Sequence, residues 1–350
     1  MIYIIGWAVM LLALVASEIT KNRSRIPVAL VVFIVAVLAI LRGSVGTDTN
    51  TYEWLLESAG SDIIAGGVEP IFTFLGWLFK TITGSAVGAV RLFALLLFVV
   101  LFYYVLCSNK NERFFLLSCF LPAFIYQYSM NTLRLGLASV FLLLAFQWVR
   151  RLRYSRRAVF SVLALGFHYS SIFNLAYLLL LRMRWARWSS VGWAVGFVLA
   201  TASILFMKSD YFLMKFNAYS AVSSPRIFSG LSKVAVIAVM LLSVAASRMQ
   251  RSDKFKLMLL TVILTTASLA LASISYAGLR FLDLLSFALP LAVLVAYNDD
   301  DRPLDWVIKL GFSAVGLLAM VASYRNYLQE SGQGPSPFLP YHLLDIFGGM

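Results

Sequence analysis

Charge is what this sequence has least of. Only 13% of its 350 residues are Asp, Glu, Lys or Arg, against 61% hydrophobic, and the mean hydropathy is +0.85. A chain this poor in charge cannot cover a water-facing surface, which excludes a soluble domain. Cysteine is limited to Cys107 and Cys119, with no CxxC spacing, and this excludes a disulfide framework and a structural zinc site. Histidine is limited to His168 and His342. No DxD motif and no His/carboxylate group at metal-ligand spacing occurs, so neither a metal nor another cofactor is expected. The alternating ten-residue segments of a membrane β-barrel are missing as well.

What is present is a series of apolar runs long enough for helices to cross about 30 Å of hydrocarbon. They predict spans near 2–17, 26–41, 92–107, 114–128, 134–149, 189–206, 232–247, 257–275, 280–297 and 306–323. Ile2 to Ala16 lacks a basic start and a small-residue cleavage site, so it reads as a retained span. Two further runs are shorter or interrupted. Residues 70–82 open with Glu69-Pro70, a helix start, and read as a half-helix dipping in from one side. Residues 158–181 are interrupted by His168, Tyr169, Ser170 and Ser171 and read as a broken or re-entrant element. The fold expected is an all-α, polytopic membrane protein of about 10–12 segments. It forms one integral membrane domain over 1–350, with loops at 42–91 and 207–231 and a tail at 326–350.

The basic residues give this arrangement a direction. Loops 18–25, 108–113, 150–157, 182–187, 248–256 and 298–305 hold 18 of the 29 Lys and Arg and are expected to face the cytoplasm. The net charge of +13 therefore reports topology. No DNA-binding motif or aromatic-interleaved basic groove accompanies it, and no nucleic-acid partner is expected.

The opposite, external side collects the residues that topology does not explain. The stretch LRGSVGTDTNTYEWLLESAGSDIIAGGVEP, residues 41–70, places Arg42, Asp48 and Glu69 at the mouths of helices, where charge is costly unless something polar binds. Arg42, Arg91, Arg134, Arg226, Arg280 and Arg325 also fall on this side. A guanidinium recognises phosphate or carboxylate through two parallel hydrogen bonds, so such a set suits an anion such as a diphosphate. The bland alternative for each is snorkelling to headgroups or pairing with a local carboxylate. Arg42, Arg134 and Arg280 stand out because each sits beside glycine or a polar helix start. Asn131 or Thr132 could cap the helix that carries Arg134.

His168 is the one histidine inside an apolar run and titrates near neutrality, which makes it a candidate general base or hydrogen-bond donor. Asp48 and Glu69 are alternative bases, although Glu69 also suits a helix N-terminus and Asp48 a turn. Tyr52 and Tyr341 are candidates to contact a ligand, or simply interfacial tyrosines. His342 is a weaker base candidate, in a tail that reads as an external lid.

RGSVGTDTNTY at 42–52, EPIF at 69–72, SMNTLRLGLA at 129–138, FHYSS at 167–171 and Pro340-Tyr341 together resemble the EpsG-type family of exopolysaccharide polymerases, which are Wzy-like membrane proteins. The resemblance runs over most of the chain, with the motifs in the family's order. One departure is Leu135, where the family usually has glutamine after the arginine. The resemblance implies a metal-independent glycosyltransferase of the bacterial plasma (inner) membrane that joins polyprenyl-diphosphate-linked oligosaccharide repeats at the external face. His168, Arg134, Arg42, Glu69 and Asp48 would be catalytic. Arg280, Asn131, Tyr52, Tyr341 and Arg226 would bind substrate. Membrane lipids and other polysaccharide-export components would be its partners. A transporter or flippase for a lipid-linked or small anion is the competing class, because broken helices and a central histidine suit it too. A ligase or membrane O-acyltransferase is a third. No inverted internal repeat favouring transport is visible in the sequence.

Overall fold

A computed structural model describes residues 2–58, 69–150, 153–182, 230–328 and 338–343. In chain order its helices are α1 (Ile2–Ile19), α2 (Ile26–Ile40), α3 (Thr47–Ser58), α4 (Pro70–Thr83), α5 (Ala86–Leu106), α6 (Lys110–Phe115), α7 (Leu121–Met130), α8 (Leu133–Ala145), α9 (Tyr154–Phe167), α10 (Ser171–Arg182), α11 (Leu231–Ala246), α12 (Arg251–Ala272), α13 (Ala277–Asp299) and α14 (Trp306–Leu328). A π-helical turn, Leu116–Phe120, joins α6 to α7, and a 3-10 turn, Trp148–Arg150, follows α8. The only extended pairing among the described residues is an isolated bridge between Arg42 and Leu343. The protein is an all-α polytopic membrane protein, and α1, α5, α12, α13 and α14 are each long and apolar enough to cross a bilayer.

The spans follow from sequence periodicity. In α1 the buried positions Tyr3, Trp7, Met10, Ala13 and Ser17 recur at three- and four-residue spacing, which puts one face inward and leaves Ile5, Leu12 and Val15 outward. Of the spans that start earlier than hydropathy suggests, two are extended by polar caps. Ser85 Oγ accepts the Gly88 N–H at 3.0 Å and starts α5 at Ala86. Asn109 and Glu112 form a capping box that starts α6 at Lys110. The π turn has a covalent cause, since Pro122 has no N–H to offer the carbonyl of Ser118.

The two ambiguous runs resolve into one short helix and one broken element. Residues 70–82 become α4, which Gly84 ends and which turns straight into α5. Residues 158–181 become α9 and α10, separated at His168–Ser170, where His168 is extended (φ −158°, ψ 117°). The freed backbone is satisfied locally: the N–H and Oγ of Ser171 both donate to His168 O, at 3.0 and 2.7 Å. One helix, α3, was not expected inside the 42–91 loop. It is polar overall, but Thr49, Tyr52 and Leu56 bury one face of it, and packing supplies what composition does not. The expected span at 189–206 and the loop over 207–229 lie outside the described residues.

A polar knot holds the basic end of the bundle. Glu112 is fully buried, and its carboxylate accepts from the N–H of Asn109 (2.8 Å), the N–H of Trp148 (2.7 Å) and Asn298 Nδ2 (3.2 Å). Arg113 donates twice to Asn22 O, at 2.8 and 2.6 Å, and so fastens the α1–α2 turn to α6. Removing the acceptor leaves three buried neutral donors unpaired, each at a cost of about 1 kcal/mol or more. We therefore expect Glu112→Ala to lower stability by about 3 kcal/mol, with a smaller loss for Glu112→Gln, which keeps an acceptor oxygen. Thermal unfolding of the detergent-solubilised protein checks this, and an unchanged midpoint in Glu112→Ala would refute it.

Candidate active site

At the opposite end, the polar stretch after α2 is stitched onto three consecutive residues at the end of α7. Arg42 Nη1 donates to Ser129 O (2.7 Å) and to Ala39 O (2.9 Å), and Nε donates to Val45 O (3.2 Å). Thr49 Oγ1 reaches Val45 O (2.7 Å) and Met130 O (3.3 Å). The Asp48 N–H donates to Asn131 Oδ1 (2.9 Å). Gly46 makes the fit possible: its φ is +102°, and a side chain there would meet the Met130 carbonyl at 2.1 Å. This clamp fixes the turn from α7 into α8 and so fixes where Arg134, in the first turn of α8, must point.

Glu69 is what Arg134 points at. Glu69 precedes α4, with Pro70 in the first turn, but its side chain makes no capping hydrogen bond. It turns away from the helix and is fully buried between two partners. Arg134 Nη1 lies 2.6 Å from Oε2, and His168 Nδ1 lies 2.7 Å from Oε1. Helix α4 brings Glu69, α8 brings Arg134, and the α9–α10 break brings His168. Ile71, two residues on from Glu69, packs against α9 at Gly166, two residues before His168, where a Cβ would meet its Cδ1 at 2.3 Å. Aromatic rings flank the cation: the Arg134 Cζ stands 5.6 Å from the Tyr52 centroid and 5.5 Å from that of Phe72. Phe72 in turn stacks on Phe93 at 4.5 Å.

The electrostatics follow from this pairing. Burial alone would raise the Glu69 carboxyl, but the hydrogen bond and charge of His168, together with Arg134, outweigh it and hold the group at about 2. An ionised carboxylate can only accept, so it takes the Nδ1 hydrogen of His168. In the neutral ring the lone pair then sits on Nε2, the assignment dictated by the hydrogen-bond partner. The side chains of His168 and Arg134 each remain 20% exposed, while Glu69 is sealed. The result is an oriented imidazole beside a fixed guanidinium, both partly exposed.

The other candidates lie around this group or away from it. Tyr52 is buried against Arg134, and Asn131 and Asp48 hold the clamp. Arg42 is fully buried and spends its described hydrogen bonds on backbone carbonyls, not on the Glu69 group. Tyr341 donates to Leu38 O (2.8 Å), and His342 O accepts the Gly43 N–H (2.7 Å), so the strap 338–343 is pinned beside Arg42. Arg280 is exposed on α13, over the Tyr276 ring at 5.5 Å. Arg226 lies outside the described residues. Sequence reading missed Glu53, Phe72 and Thr49. The spacing Thr49, Tyr52, Glu53, Leu56 carried the signal, since it marks one face of a helix. Among the described residues no three His, Cys, Asp or Glu side chains converge as a metal site would require.

The Glu69 value gives a pH test. Because the folded value lies below the ordinary 4.5, the stabilisation it contributes is fully present above that pH and is lost as pH falls toward 2. The stability gap between the wild type and Glu69→Gln should shrink on acidification from about pH 5 to about pH 3. Thermal midpoints across that range check it, and a gap independent of pH would contradict the ion pairs.

No curated protein sequence and no solved structure matches the chain. The model of the EpsG family does, over residues 25–343, a stretch that takes in the clamp, Glu69, Arg134, His168 and the strap. With nine-tenths of its length matched, including every residue of the site just described, the chain belongs to the EpsG family.

Proposed function

We propose that this multi-pass membrane protein is a polysaccharide polymerase that joins polyprenyl-diphosphate-linked oligosaccharide repeats, with His168 as general base. Membership of the EpsG family supports an exopolysaccharide-polymerase role in general. The observation that carries the specific reading is the sealed Glu69 carboxylate, which orients His168 through Nδ1 and fixes Arg134 beside it.

In this reading an acceptor sugar hydroxyl gives its proton to His168 Nε2 while its oxygen bonds the anomeric carbon of the donor glycan. The bond from that carbon to the diphosphate oxygen breaks, and polyprenyl diphosphate leaves. Glu69 is a positioning residue: it keeps the imidazole in the reactive tautomer and offsets the charge it acquires. Arg134 offsets the negative charge growing on the departing oxygen from a place fixed before reaction begins. The basic loops at the other end of the bundle support a site on the external face, here of a bacterial plasma membrane. Apolar outer faces such as that of α1 then offer the polyprenyl chain a place among lipids.

Two outcomes follow. Both His168→Ala and His168→Gln should lower polymer formation by about 100-fold or more, the range of a lost general base, with single-repeat lipid-linked glycan accumulating in cells. Full activity in His168→Gln would reduce the residue to a hydrogen-bonding role. Arg134→Lys keeps the charge but loses the planar fork held between Tyr52 and Phe72, so polymer yield should fall sharply at unchanged protein level. Wild-type chain length in that variant would remove Arg134 from the site. Unchanged polymer with altered uptake of an anion in a deletion strain would instead point to transport.

A further inference from the structure

A second pair of buried cations lies apart from the Glu69 group. Arg42 is fully buried and Arg91, in α5, is 7% exposed. Arg91 Nη2 donates to Gly43 O at 2.9 Å, so the two arginines meet at one stretch of backbone, where the strap also crosses. Nη2 of Arg42 and both Nε and Nη1 of Arg91 are buried without a hydrogen-bond partner among the described residues. Glu53, with Oε1 3.8 Å from Arg91 Nη2, is the one carboxylate among the described residues acting on either arginine. The nearby phenols donate elsewhere, Tyr341 to Leu38 O and Tyr3 to Phe338 O.

Among the described residues two guanidiniums face one carboxylate, which leaves a net buried positive charge and three donor nitrogens without an acceptor. Burial and the Arg91 charge both push Arg42 below its ordinary value, yet a guanidinium does not give up its proton in a protein. The imbalance therefore calls for an anion. Water would satisfy the donors but not the charge. A carboxylate offers two oxygens and one charge, whereas a phosphate group presents more acceptor oxygens and up to two charges to a pair of forks.

We propose that Arg42 and Arg91 form a second anion site, which takes a phosphate-type group and is separate from the Glu69–His168–Arg134 group. Its natural source as a lipid-linked diphosphate rests on the polymerase reading, whereas the site itself rests on the two arginines. Glu53 competes with the ligand for Arg91, and the strap covers the site.

Binding is tested with the purified full chain in detergent, by thermal shift at matched ionic strength, using inorganic phosphate, inorganic diphosphate and polyprenyl diphosphate as probes. Inorganic diphosphate should raise the midpoint of the wild type and of His168→Ala alike. Arg91→Lys should need roughly tenfold more ligand for the same shift, the loss expected for a charge-assisted hydrogen bond. Glu53→Gln should need less, which keeps the test decisive if Arg91→Lys fails to fold. A shift by polyprenyl diphosphate at lower concentration than by inorganic diphosphate would identify a lipid headgroup as the source; equal potency would identify the free anion. No shift with any probe, or shifts in Arg91→Lys and Glu53→Gln equal to wild type, would overturn the site. Because His168→Ala keeps this binding while losing polymer formation, failure of the anion site and failure of the polymerase reading give different results.

Discussion

The buried carboxylate of Glu69 is the constraint on which the site depends. An ionised group sealed from water is tolerated only when charge partners and hydrogen bonds replace its hydration. Here those partners come from two other parts of the chain, Arg134 at the start of α8 and His168 at the α9–α10 break. Three irregular places in a hydrophobic bundle, the entrance to α4, the α7–α8 turn and the broken helix, are thereby brought to one point. Each irregularity alone is a cost in a membrane; together they satisfy one another.

The arginines divide the remaining work by what they face. Arg134 faces a carboxylate between two rings, and its position is set before any substrate arrives. Arg42 faces carbonyl groups and holds the polar stretch against the end of α7, so its influence on Arg134 passes through the backbone of Ser129, Met130 and Asn131. Arg280 faces outward over Tyr276. Spacing beside glycine had put Arg42, Arg134 and Arg280 in one class, and their surroundings separate them into different physical roles.

Legibility in the sequence followed the strength of the local signal. Long apolar runs predicted α1, α2, α8, α11, α13 and α14 closely and located α5, α7 and α12 while missing their starts, because hydrocarbon thickness and backbone hydrogen bonding leave a helix as the answer. Pro70 and the polar run at 168–171 were sufficient to expect a helix start and a break. Helix α3 escaped because its residues are polar and its stability comes from one face packed against other helices. Glu53 and Thr49 escaped with it. Phe72 escaped because an aromatic residue in an apolar helix carries no mark of the cation it will flank.

The sequence by itself determined that the chain lives in a membrane as helices, which end carries the basic loops, and which few polar residues interrupt the hydrocarbon. Composition and period suffice for that, since both are local properties of the chain. Only the tertiary structure decided that Glu69 pairs with His168 and Arg134 and not with its own helix, across 99 and 65 residues of sequence. Only it placed Arg42 beside Arg91 and under the strap from the far C-terminus. Ion pairing acts over a few ångströms of space, and distance along the chain carries no record of which charges will meet there.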